Sequence, residues 1–278
     1  MRIMEYSYEQ THKEVKAGCS GADCFQEKPE NGAAIDSTQS PMRPNSGTKW
    51  NDVRAPWRAG EFYKSLPPEA MSEFESHAAP FFCEGTDVLF REEQQPSSVL
   101  FLLEGRVKLS MNSIDGRRLI MGIAGPGEIL GLTSAVSGLP YEITAEAQFP
   151  CVITSLQRRS FLDFLLRYPV ACQNVARQLS LDYKGTCEQL RTLGLASSAP
   201  AKLARLLLEW CAAGQQTEHG ARIQCSLTHG EIGEYIGVSR ETVTRTLHDF
   251  KNREMVEQRG ATLIVLSLRA LEIYAGAN

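Results

Sequence analysis

A chain of 278 residues with 42 % hydrophobic and 22 % charged residues has the make-up of one or two folded domains, not of a fibre or a disordered polymer. Its formal charge of −4 excludes a polycation that coats nucleic acid without selectivity. No apolar run is long enough to span a bilayer and the first residues lack the apolar region of a secretion signal, so a cytoplasmic protein with reduced thiols is expected.

Residues 1–58 are polar, rich in Gly, Ser, Pro, Asn and Glu, and show no period of 2 or 3.6. They read as a disordered N-terminal extension, with Trp50 and Trp57 marking where it begins to touch folded protein. Pro67-Pro68 opens a short helix over 67–77. From 80 to 157 the texture changes to β-type runs at 87–90, 98–105, 106–112, 117–125, 142–148 and 151–156. Glycine- and proline-bearing turns separate them, which predicts an antiparallel sandwich or jelly roll within a domain spanning 59–168.

From Phe161 to about Leu195 the pattern turns helical, with Pro169 placed at a helix start. Cys172, Val175, Leu179, Thr186, Leu190 and Leu193 follow a loose 3–4 spacing, which predicts a dimerisation helix over 169–196. Ser197 to Pro200 then breaks the pattern and reads as a hinge. The last segment, 197–278, begins with a helix bearing Leu203, Leu206, Leu207 and Trp210 on one face. It ends in a hairpin over 255–268 that turns at Arg259-Gly260, and basic and acidic residues balance across it.

Between these lies LTHGEIGEYIGVSRETVTRTLHDF, residues 227–250. Val243, Leu247 and Phe250 at i, i+4, i+7 share one helical face, and Glu241, Thr244, Arg245 and His248 occupy the opposite one. Ile232, Tyr235 and Ile236 form the apolar face of a preceding helix. Thr228 and Glu231 fit a capping box at its start, Gly237 supplies a turn, and Ser239 is an N-cap for the second helix. Two short helices joined this way, followed by a hairpin, predict a winged helix-turn-helix whose second helix reads the DNA major groove.

In this order of elements, and in the motifs LTHGEIGEYIGVSRETVTRTL and GPGEILG (125–131), residues 62–278 resemble the cyclic-AMP receptor protein / fumarate-and-nitrate-reduction regulator (Crp/Fnr) family of dimeric bacterial transcription factors. The resemblance implies an α+β chain with a cyclic-nucleotide-binding-like jelly roll, a dimer helix and a winged helix-turn-helix. It also implies double-stranded DNA, a second copy and RNA polymerase as partners, with no enzymatic activity and no membrane. Arg240, Glu241, Thr244 and Arg245 fall on base-reading positions, as in members that recognise TGTGA-type half-sites. The chemistry agrees, since Arg is bidentate to guanine and Glu accepts from cytosine N4. Thr228, His229, Ser239, Thr242 and Arg259 match phosphate-holding positions.

The sensor half departs from the pattern. Members that bind cyclic nucleotides carry a Glu for the ribose directly after the GE-x-x-G motif and an Arg-Ser pair further on for the phosphate. Here Gly127, Glu128 and Gly131 are followed by Leu132, and the later pair is Glu142-Ile143. A phosphate would meet a carboxylate, so no useful affinity for cyclic AMP is expected. A [4Fe–4S] cluster is the other familiar effector, and it would have to draw on Cys19, Cys24, Cys83 and Cys151. Their spacing departs from the family's, so bystander thiols are expected and no cofactor is predicted. A cupin-type metal centre is disfavoured because none of the five histidines (His12, His77, His219, His229, His248) lies in 80–157. A ligand-binding module that does not use DNA is the remaining rival.

Overall fold

The structure is a computed structural model that describes residues 55–276 apart from 79, 197, 214, 218–219, 225–226 and 261. The extension up to residue 54, with Cys19, Cys24 and Trp50, lies outside the described residues, as do His219 and Cys225. Two four-stranded antiparallel sheets form the N-terminal half. One contains β1 (Phe81–Cys83), β3 (Ser98–Glu104), β6 (Ile129–Leu130) and β8 (Cys151–Gln157), in the order β1-β8-β3-β6. The other contains β2 (Val88–Phe90), β4 (Val107–Asn112), β5 (Arg118–Ala124) and β7 (Thr144–Ala147), in the order β2-β7-β4-β5. This is the expected jelly roll, with β1, β6 and the six-residue helix α2 (Leu132–Ser137) as additions.

Strand β3 shows why its sequence is an unbroken apolar run. Leu100 and Leu102 point between the sheets with Cys151 and Ile153, while Val99, Phe101 and Leu103 face outward. That outer face is covered by α1 (Pro68–His77), α3 (Arg158–Arg167) and the two 3-10 turns at Ala55–Ala59 and Glu61–Tyr63. Phe62, Phe74, Phe101 and Phe161 pack there with tilted or edge-on rings, each at most 1 % exposed. A strand buried on both faces needs no alternation. Trp57, expected in the extension, is buried in this cluster, so folded structure begins ahead of residue 58.

The long helix α4 (Pro169–Leu195) starts at Pro169, as expected. Asn174 pins it by donating its amide protons to the carbonyls of Phe62 and Lys64, at 2.9 and 2.7 Å. The expected seam is corrected in part. Val175 is buried against the chain's own β half, and Leu193 packs toward Gly237, so neither belongs to a free face. Cys172, Ala176, Tyr183 and Leu190 are exposed on one side of α4, with Leu179 and Cys187 partly so. Their period of 11 residues per three turns differs from the stripe read in sequence, because the docking of α4 on the β core fixes which side stays free.

After a break shorter than expected, α5 begins at Ala199 and runs to Ala213. It packs with α8 (Leu268–Ala275) beneath a sheet ordered β11-β12-β10-β9, built from β9 (Gln215–Thr217), β10 (Gly220–Gln224), β11 (Val256–Arg259) and β12 (Thr262–Val265). The hairpin β11–β12 is the wing read in the sequence. Among the described residues no helix is long and apolar enough to cross a membrane.

Candidate nucleic-acid interface

Helices α6 (His229–Ile236) and α7 (Arg240–Asn252) form the helix-turn-helix, and each begins as the sequence predicts. The Thr228 hydroxyl accepts from the Glu231 amide at 3.2 Å, and the Glu231 carboxylate accepts from the Thr228 amide at 2.9 Å, closing the capping box. Gly237 caps α6 in the left-handed region at φ 66°. A Cβ on Gly233 would stand 2.6 Å from the Val238 carbonyl oxygen, so only glycine lets the turn fold this tightly. The Ser239 hydroxyl accepts from the Thr242 amide at 3.2 Å and caps α7.

Val243, Leu247 and Phe250 are at most 2 % exposed and anchor α7 to the core shared with α5, α6 and α8. The opposite face carries Arg240, Glu241, Thr244, Arg245 and His248, all exposed, around a shallow concavity of about 420 Å³. Among the described residues the guanidinium groups of Arg240 and Arg245 have no hydrogen-bond or ion-pair partner. The Glu241 carboxyl is held below its usual range by its own backbone amide, by the Ser239 hydroxyl and by the Arg240 charge, so it is an acceptor at neutral pH. Two unpaired guanidiniums flanking a carboxylate, on a helix locked by its apolar side, form a donor–acceptor–donor array that matches base edges in a major groove.

The residues matched to phosphate positions surround this face but are differently engaged. Thr228 and Ser239 spend their hydroxyls on caps, and Thr242 shares a hydrogen bond with Ser239 at 3.1 Å. Arg259 on the wing is held by Glu257 at 2.8 Å, an exposed pair worth little in water. His229 accepts or donates through Nδ1 to the Thr244 hydroxyl at 2.9 Å. Burial, then the charges of Lys251 and Arg240, hold His229 below the ordinary histidine range, which keeps the ring neutral near pH 7.

Sequence reasoning missed how the β half meets the reader. Lys108 alternates with Val107 and Leu109 on β4 and reads as solvent-facing, yet it is 6 % exposed because α6 covers that face of the sheet. Its ammonium lies 3.1 Å from Glu231 and 3.4 Å from Glu146, with Arg118 3.7 Å from Glu146. A single strand carries no signal for a cover supplied more than a hundred residues later. Beside this contact, an open cleft of about 950 Å³ separates the β4–β5 turn from the start of α7, with Arg240 on its rim.

In the sensor half Gly127 (φ 92°) and Gly131 (φ 71°) shape the loop into α2, and Leu132 is buried. Glu128 accepts from the Gly125 amide at 3.2 Å, and burial pushes its carboxyl above the usual range. Glu142 accepts from the Ser134 hydroxyl at 3.0 Å, and Ile143 packs against the sandwich core. Arg158 donates to the Ala135 carbonyl of α2 at 2.7 Å. At the positions that the resemblance assigns to ribose and phosphate, this chain therefore carries an apolar side chain and a carboxylate, which do not complement those groups. Cys83 and Cys151 face each other across β1 and β8, and burial pushes the Cys83 thiol up to about 12. Burial raises Cys151 as well, and a cluster ligand must be a thiolate.

Family models match both halves: a cyclic nucleotide-binding domain over residues 81–168 and a Crp-like helix-turn-helix domain over residues 201–274. The chain belongs to the Crp/Fnr family. It is a Crp-like transcription regulator with a DNA-binding helix-turn-helix. It is 25 % identical over 209 residues to the CRP-like cAMP-activated global transcriptional regulator of Mycobacterium tuberculosis, spanning 75 % of this chain and 92 % of that one. The cAMP-activated global transcriptional regulator CRP of Pasteurella multocida is 23 % identical over 182 residues, 65 % of this chain and 87 % of its own length. The solved structure of FixK2 from Bradyrhizobium japonicum shares the fold at a TM-score of 0.64 and 20 % identity, covering 72 % of this chain and 98 % of that one.

Proposed function

We propose that this Crp/Fnr regulator acts as a cytoplasmic homodimer that reads TGTGA-like palindromic half-sites. Arg240, Glu241, Thr244 and Arg245 meet base edges, while Thr228, His229, Ser239, Thr242 and Arg259 meet phosphates. The observation that carries this reading is the exposed Arg240–Glu241–Arg245 array, whose guanidiniums are unpaired on a helix fixed by a buried apolar side. Residues 59–168 form the sensor, 169–196 join the protomers through the exposed stripe from Cys172 to Leu190, and 197–278 form the reader. Two readers related by a dimer axis would address half-sites about one DNA turn apart. RNA polymerase follows as a partner from the family's role in transcription.

The relatives named above are named for activation by cyclic AMP. In this chain Leu132 and Glu142 oppose that ligand, and cyclic AMP is not the effector this reading expects. Retardation of a TGTGA-type palindrome, and not of a scrambled duplex, tests the DNA reading, and a module that does not use DNA would retard neither. Calorimetry with cyclic AMP tests the effector reading: no heat of binding is expected, and micromolar affinity would contradict it.

A further inference from the structure

Thr244 sits among the exposed groups of α7, but its hydroxyl is engaged twice inside the protein. It donates its proton to the Arg240 carbonyl one turn back at 3.0 Å. The same oxygen lies 2.9 Å from Nδ1 of His229, which reaches across from the first turn of α6. Because the only hydroxyl proton is spent on Arg240, the imidazole must be the donor, with its proton on Nδ1. The hydroxyl then has no proton to offer a base acceptor, and one of its two lone pairs is taken. Besides the other lone pair, what Thr244 offers a base edge is its γ-methyl, and the complementary feature in a major groove is the C5-methyl of thymine.

We propose that Thr244 reads one thymine of the half-site through its γ-methyl, and that His229 is the positioning residue that holds the hydroxyl turned away from the DNA. The assignment rests on the DNA reading above and refines it. The two His229 nitrogens divide the work: Nδ1 donates to Thr244 and orients it, and Nε2, a lone pair in the neutral ring, donates to a phosphate only once the ring takes up a second proton beside the DNA. Without His229 the hydroxyl is free to leave the Arg240 carbonyl and seek water or a base acceptor, and the γ-methyl loses its fixed place.

Deoxyuridine differs from thymidine only in lacking that C5-methyl. The test measures binding of the full-length chain to a TGTGA-type palindrome by fluorescence anisotropy, with each thymine replaced singly by deoxyuridine on either strand. The wild type should lose about fourfold in affinity at one thymine position and little elsewhere, the factor expected for one methyl-sized apolar group. Thr244→Val should keep that sensitivity, and Thr244→Ser should abolish it. His229→Ala should lower affinity for the thymine and deoxyuridine duplexes alike through its phosphate contact, and should shrink the ratio between them. Adding Thr244→Val to His229→Ala should restore the ratio, since valine presents a methyl in both positions. Selective binding with no deoxyuridine effect, persistence of the effect in Thr244→Ser, or an unchanged ratio in His229→Ala would overturn this assignment alone. No sequence-selective binding by the wild type would overturn the DNA reading itself and this assignment with it.

Discussion

Replacing Glu146 and Glu231 together by glutamine strips the buried Lys108 ammonium of both counter-charges while leaving their volume in place. Glutamine at Glu231 still closes the capping box, so α6 keeps its start. Lys108 is 6 % exposed and lies within 3.4 Å of both carboxylates, so the change leaves a desolvated, unneutralised charge between sheet and reader. Uncompensated charges of this kind cost about 3–5 kcal/mol. The glutamine oxygens still accept from the ammonium, which puts the value near the lower end. Urea unfolding followed by circular dichroism gives the difference in stability, and amide exchange in α6 shows where it falls. Adding Lys108→Met to the double variant removes the stranded charge and should recover most of the loss. A double variant within about 1 kcal/mol of the wild type, or no recovery on adding methionine, would refute the view that Lys108 is a desolvated charge held by these two partners.

Arg240→Ala should weaken binding to the palindrome by about 1–3 kcal/mol and relax selectivity at one guanine, read by gel shift on duplexes substituted at that position. An equal loss on every duplex would make Arg240 a backbone contact. Leu190→Asp, on the exposed stripe of α4, should shift sedimentation toward the monomer and weaken palindrome binding far more than binding to a single half-site. Gly127→Ala forces φ 92° on a residue with a Cβ, 2.7 Å from the Gly60 Cα, and should lower stability by about 1–3 kcal/mol in the same urea assay.

What could be read from the sequence was whatever a single element encodes by itself. The spacing of Val243, Leu247 and Phe250 forces a helix to bury one face, and that alone exposes Arg240, Glu241 and Arg245. Thr228, Gly237 and Ser239 bound the two helices by local capping chemistry, which needs no partner elsewhere. Strands β3, β4, β5 and β8 were legible because each carries enough apolar residues to declare itself. The three residues of β1 and the two of β6 carry no period, and they become strands only because a neighbour supplies their hydrogen bonds. The free side of α4 was misjudged at Val175 and Leu193 for a related reason. A 3–4 spacing shows that a helix has an apolar side, but not which apolar residues its own domain has already claimed. Lys108 and the pairing of His229 with Thr244 depend on contacts between elements, and neither leaves a trace in one strand or helix.

The central claim is that the outward side of α7 meets base edges in the major groove. Interference with dimethyl sulfate tests it directly, because the reagent methylates guanine at N7 in the major groove and adenine at N3 in the minor groove. Duplexes that still bind should lack N7 methylation at one or more guanines in each half of the palindrome, with the two protected halves centred about one DNA turn apart. Free tolerance of N7 methylation, or exclusion confined to adenine N3, would contradict the account.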